Sequence, residues 1–222
     1  MSKIRGRGGR LKRAILAITG LMLSAQAFAL DVSAGVSVSG GFFINWMTTS
    51  NSSLGVSSEL TNTSLPFHGE VYVDAYYFQF GVGYRLSVLG HRSETLTVSG
   101  TTTNVLAEDT GTKGYAAFTF YCKYPFAVGR YILMPLLGFE YDVNALVLDS
   151  SDNPDNQFWV KAGMGAQLPL SNWGYFRAQL LMGWKLPSQA ENDAVANATT
   201  AGFDAALYTL EPDISFAVGF KL

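Results

Sequence analysis

The sequence predicts an all-β protein: an eight-stranded, antiparallel, up-and-down transmembrane β-barrel over residues 30–222. Three observations carry this. The chain opens with an export signal, its remainder alternates apolar and polar residues over unusually long stretches, and every charge in those stretches falls on one face.

The export signal comes first. Residues 1–13 hold six Lys/Arg and no acid, residues 14–24 are apolar, and Ala27-Phe28-Ala29 forms a small-x-small site before Leu30. This is the layout of a cleavable signal peptide, with cleavage expected after Ala29. The apolar run is too short for a membrane helix, which needs about 20 residues. The whole chain carries 15 basic and 17 acidic residues. Loss of residues 1–29 removes six of the bases and leaves nine against 17, an acidic protein with no basic surface for nucleic acid. The single cysteine, Cys122, excludes an internal disulfide.

The alternation has period two, the spacing of a strand with unlike faces. From Val32 to Trp46 one face reads Val32, Ala34, Val36, Val38, Gly40, Phe42, Ile44, Trp46, and the other is mainly serine, glycine and Asn45. Tilted membrane-crossing strands need about 9–11 residues, whereas soluble strands average about 5–6. Seven further segments follow, at residues 68–75, 79–89, 115–124, 131–146, 157–169, 175–186 and 208–222. Their apolar faces hold no Asp, Glu, Lys or Arg. Their other faces hold Glu70 and Asp74, Arg85, Lys123, Glu140 and Asp142, Lys161, Arg177 and Lys185, and Glu211, Asp213 and Lys221. A Lys or Arg facing lipid at mid-membrane costs about 2–4 kcal/mol, so the clean face is assigned to lipid and the charged face to the lumen.

The connections alternate as well. Residues 48–65, 90–114, 147–156 and 187–206 read as long polar loops, and 76–78, 125–130 and 170–174 as short turns. Long outer loops against short periplasmic turns are the outer-membrane layout. Aromatic belts are expected at both rims, from Trp46, Tyr141, Phe158 and Trp184 outside and from Phe80, Tyr124, Tyr131 and Phe176 inside. Closure of the sheet removes edges that lipid cannot hydrogen-bond. The ending Phe216-Ala217-Val218-Gly219-Phe220-Lys221-Leu222 resembles the C-terminal signal read by the barrel-assembly machinery, with leucine where an aromatic is usual.

Among eight-stranded families the chain resembles the OmpW group more than OmpA or OmpX. The likeness rests on its length and on a final strand with Glu211-Pro212-Asp213-Ile214 running into Ala217-Val218-Gly219-Phe220. That resemblance implies a narrow, apolar-lined channel that passes small hydrophobic molecules sideways into the membrane. The residues themselves point to a polar lumen, in which the charges either pair and fill a closed barrel or line a narrow solute path.

Two functions stay open: a channel for small hydrophobic or weakly polar solutes, and a surface protein that binds an extracellular ligand through its loops. Two histidines, His68 and His91, do not make a metal cluster, and no cofactor is expected. The run His91-Arg92-Ser93 with Glu94 and Glu108 resembles the site of barrel enzymes that deacylate lipid A. In a serine-rich chain a His-x-Ser arises easily by chance, and at a loop edge the segment is read as a solvated loop, so no catalytic residue is assigned and no enzyme is expected.

Overall fold

The computed structural model describes residues 32–107, 112–146 and 156–222. Its elements are β1 (Val32–Gly41), β2 (Phe43–Asn51), β3 (Val56–Ala75), β4 (Phe78–Val98), β5 (Thr101–Ala107), β6 (Lys113–Lys123), β7 (Phe126–Val128), β8 (Tyr131–Leu146), β9 (Gln157–Pro169), β10 (Gly174–Leu186), α1 (Gln189–Thr200) and β11 (Asp204–Lys221). The signal segment and most of the 147–156 loop lie outside the described residues.

The eleven strands make a closed antiparallel ring of eight staves. β1 and β2 form one stave, paired in unbroken register with β3 on one side and β11 on the other. They separate only at Phe42, which donates its N–H to the Pro212 carbonyl at 3.0 Å. Pro212 has no N–H to return the bond, and the ladder lapses there. β5 and β6 together form the stave beside β4, and β7 is a short hairpin on β8.

Cross-strand partners can be followed once around the ring: Ala34, Val73, Phe80, Phe120, Phe139, Val160, Trp184, Leu210 and back to Ile44. The circuit returns ten residues beyond its start on the first stave. With a rise of about 3.3 Å per residue and about 4.8 Å between strands, a stagger of ten over eight staves gives a tilt of about 41°. A barrel of this size encloses only enough space for its own side chains.

Polarity is reversed relative to a water-soluble barrel. Val38 is 64% exposed and Leu137 60%, whereas Asp142 and Trp159 are 0% and Lys161 and Arg177 1% exposed. Buried and exposed residues alternate along the staves, as on β10, where Tyr175, Arg177, Gln179 and Leu181 are buried and Phe176, Leu180 and Met182 exposed. Tight curvature is accommodated where side chains are missing: a Cβ on Gly138 would stand 2.0 Å from the Phe120 carbonyl oxygen. Outward aromatics do more than ring the two rims. Phe80, Phe120, Phe139 and Phe158 run in a slanting band, with successive ring centroids 4.8, 5.2 and 5.7 Å apart. Trp46 packs on Tyr208, Tyr124 stacks on Tyr77 and Phe176 on Phe216. Arg130 covers the Tyr131 ring, and Trp184 stands exposed.

Three of the expected loops are structured. The stretch 48–65 continues β2, turns at residues 52–55 and begins β3. The stretch 90–114 holds the upper half of β4, all of β5 and the start of β6. Ser99 and Gly100 make the two-residue hairpin between β4 and β5, both at positive φ (48° and 83°), the conformation that fits the strand twist. The stretch 187–206 contains α1, opened by a capping box. Ser188 N donates to Glu191 Oε2 at 2.7 Å, and Ser188 Oγ accepts from Glu191 N at 3.3 Å. The barrel thus carries a projecting sheet and a helix at the end opposite Val32 and Leu222.

Candidate functional site

The lumen is packed by ion pairs in two tiers. In the outer tier Arg85, from β4, is forked between three carboxylates. Its Nη1 donates to Glu140 Oε1 at 3.0 Å and Asp142 Oδ2 at 3.1 Å, and its Nη2 donates to Glu211. Lys161 Nζ, from β9, lies 2.9 Å from Glu140, 3.3 Å from Glu211 and 3.5 Å from Asp213. Trp159 closes this tier, donating Nε1–H to Asp142 at 3.0 Å while the Arg85 guanidinium lies 4.7 Å over its ring. His68 Nδ1 stands 4.0 Å from Glu140.

In the inner tier Asp74 binds Lys123 Nζ at 2.7 Å, the Arg177 guanidinium, and the Tyr175 hydroxyl, which donates at 2.8 Å. Arg177 also donates to Gln79 Oε1 at 2.7 Å and lies over the Tyr72 and Tyr175 rings. Between the tiers sits Glu70. It accepts hydrogen bonds from Thr119, Gln79 and Ser37, with no cation in ion-pair contact among the described residues.

Two of the charges placed inward by alternation leave the network. Lys185 stands at the outer rim, 2.8 Å from Glu191 of α1, because β10 reaches the mouth there. Burial alone would raise the Glu191 carboxyl, but hydrogen bonds from Lys185 and Ser188 hold it below its usual value. That lock therefore forms fully at neutral pH and is released as pH falls through the lowered value. Lys221 is exposed at the opposite end. The expected balance of six against six becomes four buried cations, Arg85, Lys123, Lys161 and Arg177, facing six buried carboxylates.

Glu70 is the buried carboxylate with no cation in contact among the described residues, and this sets an expected result. A buried carboxylate held only by neutral donors keeps most of its desolvation cost. Glu70→Gln, which preserves the acceptor, should leave the urea-unfolding midpoint unchanged or raise stability by about 1 kcal/mol. Glu140→Gln, which strips a carboxylate from both Arg85 and Lys161, should cost about 3 kcal/mol in the same assay.

The tiers divide the interior into two vestibules. A cavity of about 360 Å³ opens at the outer mouth with Arg85 in its floor. One of about 250 Å³ opens at the inner end beside Asp74, Lys123 and Tyr175. The constriction between them, at His68, Arg85, Glu140 and Lys161, leaves no space for a water molecule. The apolar lumen implied by the OmpW resemblance is not what the described residues form: their interior is ionic. Trp159 was not singled out from the sequence. Its signal was its parity, opposite to outward Phe158 and Val160. His91 lines the outer vestibule, where no hydrogen bond joins it to Ser93 among the described residues; Glu108 lies outside them. Cys122 is exposed on the outer wall. No group of three or more His, Cys, Asp or Glu among the described residues is arranged to hold a metal ion.

No protein-family model matches the chain, and no curated protein matches it. Among solved structures, the translocator domain of the autotransporter NalP from Neisseria meningitidis aligns with 12% identity. The alignment covers 96% of this chain and 98% of that one, with a TM-score of 0.29. The β-barrel assignment rests on the closed strand ring itself.

Proposed function

We propose that the protein is an outer-membrane barrel, exported with cleavage after Ala29, whose closed lumen is a structural spine and whose outer projections and mouth bind an extracellular ligand. The supporting observation is the constriction: Arg85, Lys161 and their carboxylates fill the cross-section without room for water. A channel for small solutes needs a path that this packing does not provide. The strand ends agree, since β2 to β5 and α1 extend the molecule on the side of the larger vestibule. Lipid contacts the outward apolar face, and the barrel-assembly machinery reads the final strand through outward Phe216, Val218 and Phe220. The likeness to the OmpW group is kept for the wall, where Pro212 interrupts the ladder opposite Phe42.

The test is transport. The chain from Leu30, refolded into planar bilayers, should give no steady single-channel steps. Liposomes carrying it should take up a hydrophobic tracer no faster than protein-free ones. Steady conductance, or tracer uptake scaling with protein, would return the channel reading.

A further inference from the structure

The outer vestibule is built unlike an ordinary rim. Its volume of about 360 Å³ falls in the range of small-molecule sites. Such sites are mostly apolar, but this one is lined chiefly by donors. Beyond residue 29 the chain has nine Lys/Arg against 17 Asp/Glu, yet four of those nine (Arg85, Arg92, Lys113 and Lys185) line this one cavity. No Asp or Glu is among the described residues that line it. Composition alone would give the opposite sign.

Two of the four cations are committed, Arg85 to the carboxylates beneath it and Lys185 to Glu191. The other two have capacity to spare. Arg92 reaches Glu94 only at 4.0 Å, with both side chains about half exposed, and Lys113 enters no ion pair among the described residues. The remaining wall suits hydroxyl groups: Asn62, Ser64, Ser87 and Gln157 offer donors and acceptors, and Phe43 supplies one apolar face. The acid-rich tier below is kept from an entering anion by Arg85 itself.

We propose that this vestibule binds a small hydroxylated acid of sugar-acid type, its carboxylate held by Lys113 and Arg92 and its hydroxyls by the amide and serine side chains. This rests on the closed-barrel reading and gives that reading a ligand class. A charged ligand at a mouth walled by low-dielectric protein is attracted more strongly than in open water, and added salt weakens the attraction.

The experiment is calorimetric titration of the folded chain from Leu30 in zwitterionic detergent micelles, with glucuronate, glucose, glucosamine and sulfate as probes. Glucuronate is expected to bind saturably, at least tenfold tighter than glucose and glucosamine and several-fold tighter than sulfate, and to weaken with added salt. Lys113→Met and Arg92→Met should each weaken it about tenfold, and Lys113→Arg should retain it. No saturable glucuronate binding, or glucose or glucosamine binding as tightly, overturns the site. Sulfate equal to glucuronate overturns the sugar-acid assignment in favour of a bare oxyanion. The wild-type comparison needs no variant to fold. Conductance in bilayers would overturn the closed lumen while leaving this result to stand or fall separately.

Discussion

Arg85→Met is expected to lower the stability of the folded barrel by about 3–5 kcal/mol, the cost of breaking a buried ion network by deleting one partner. The size follows from what remains. Arg85 is the only side chain among the described residues that bridges Glu140, Asp142 and Glu211 at once. Without it Asp142 keeps the Trp159 N–H but no cation among the described residues, and Lys161 must serve Glu140, Glu211 and Asp213, with His68 4.0 Å from Glu140. Arg85→Lys should recover only part of the loss, because an ammonium cannot fork between carboxylates as a planar guanidinium does. Arg177→Met should cost less than Arg85→Met, since Asp74 retains Lys123 at 2.7 Å and the Tyr175 hydroxyl. Urea unfolding in lipid vesicles, followed by tryptophan fluorescence, checks the ranking. Equal stability of Arg85→Met and the wild type would show that the tier is not held as the distances indicate.

The pairing that gives Arg85 this weight could not be read from the sequence, although its inward direction could. Alternation fixes the face of each residue: Phe80, Val82 and Leu86 go one way and Arg85 the other. Which carboxylate Arg85 meets depends on stagger around the ring, which brings Glu211 to it across 126 residues. Stagger is a sum over eight strand pairs, and no local pattern encodes it. The projecting halves of β3 and β4 were illegible for a different reason. From Ser57 to Thr63 no residue is buried and the run Ser-Ser-Glu-Leu-Thr-Asn-Thr holds a single apolar side chain, so there is no apolar side to alternate with. The helix was hidden likewise. Its residues Gln189–Thr200 bury nothing and show no apolar stripe, leaving the Ser188–Glu191 capping box as the one available signal. Parity places Lys185 inward without saying at what height, and its strand ends at the mouth, where it lines the outer vestibule beside Glu191.

The solvent around the barrel decides the second large effect. Leu180 sits midway along β10, paired with Met164 and Ile214 on its neighbours. All three point outward and are 60%, 47% and 50% exposed. Were that face in water, Leu180→Arg would exchange one exposed side chain for another, an effect within about 0.5 kcal/mol. In hydrocarbon the guanidinium loses its hydration, and the cost at the midplane is about 2–4 kcal/mol. The penalty falls towards the interface, so Phe176→Arg, four residues nearer the inner rim, should cost only about 0–1 kcal/mol. The contrast between the two sites is the informative quantity, because a general loss of packing would not depend on depth. Unfolding free energies of both variants in bilayers of fixed thickness supply it. If Leu180→Arg proved as stable as the wild type, and the protein stayed monodisperse in buffer without detergent, the apolar face would be facing water and the lipid assignment would be lost.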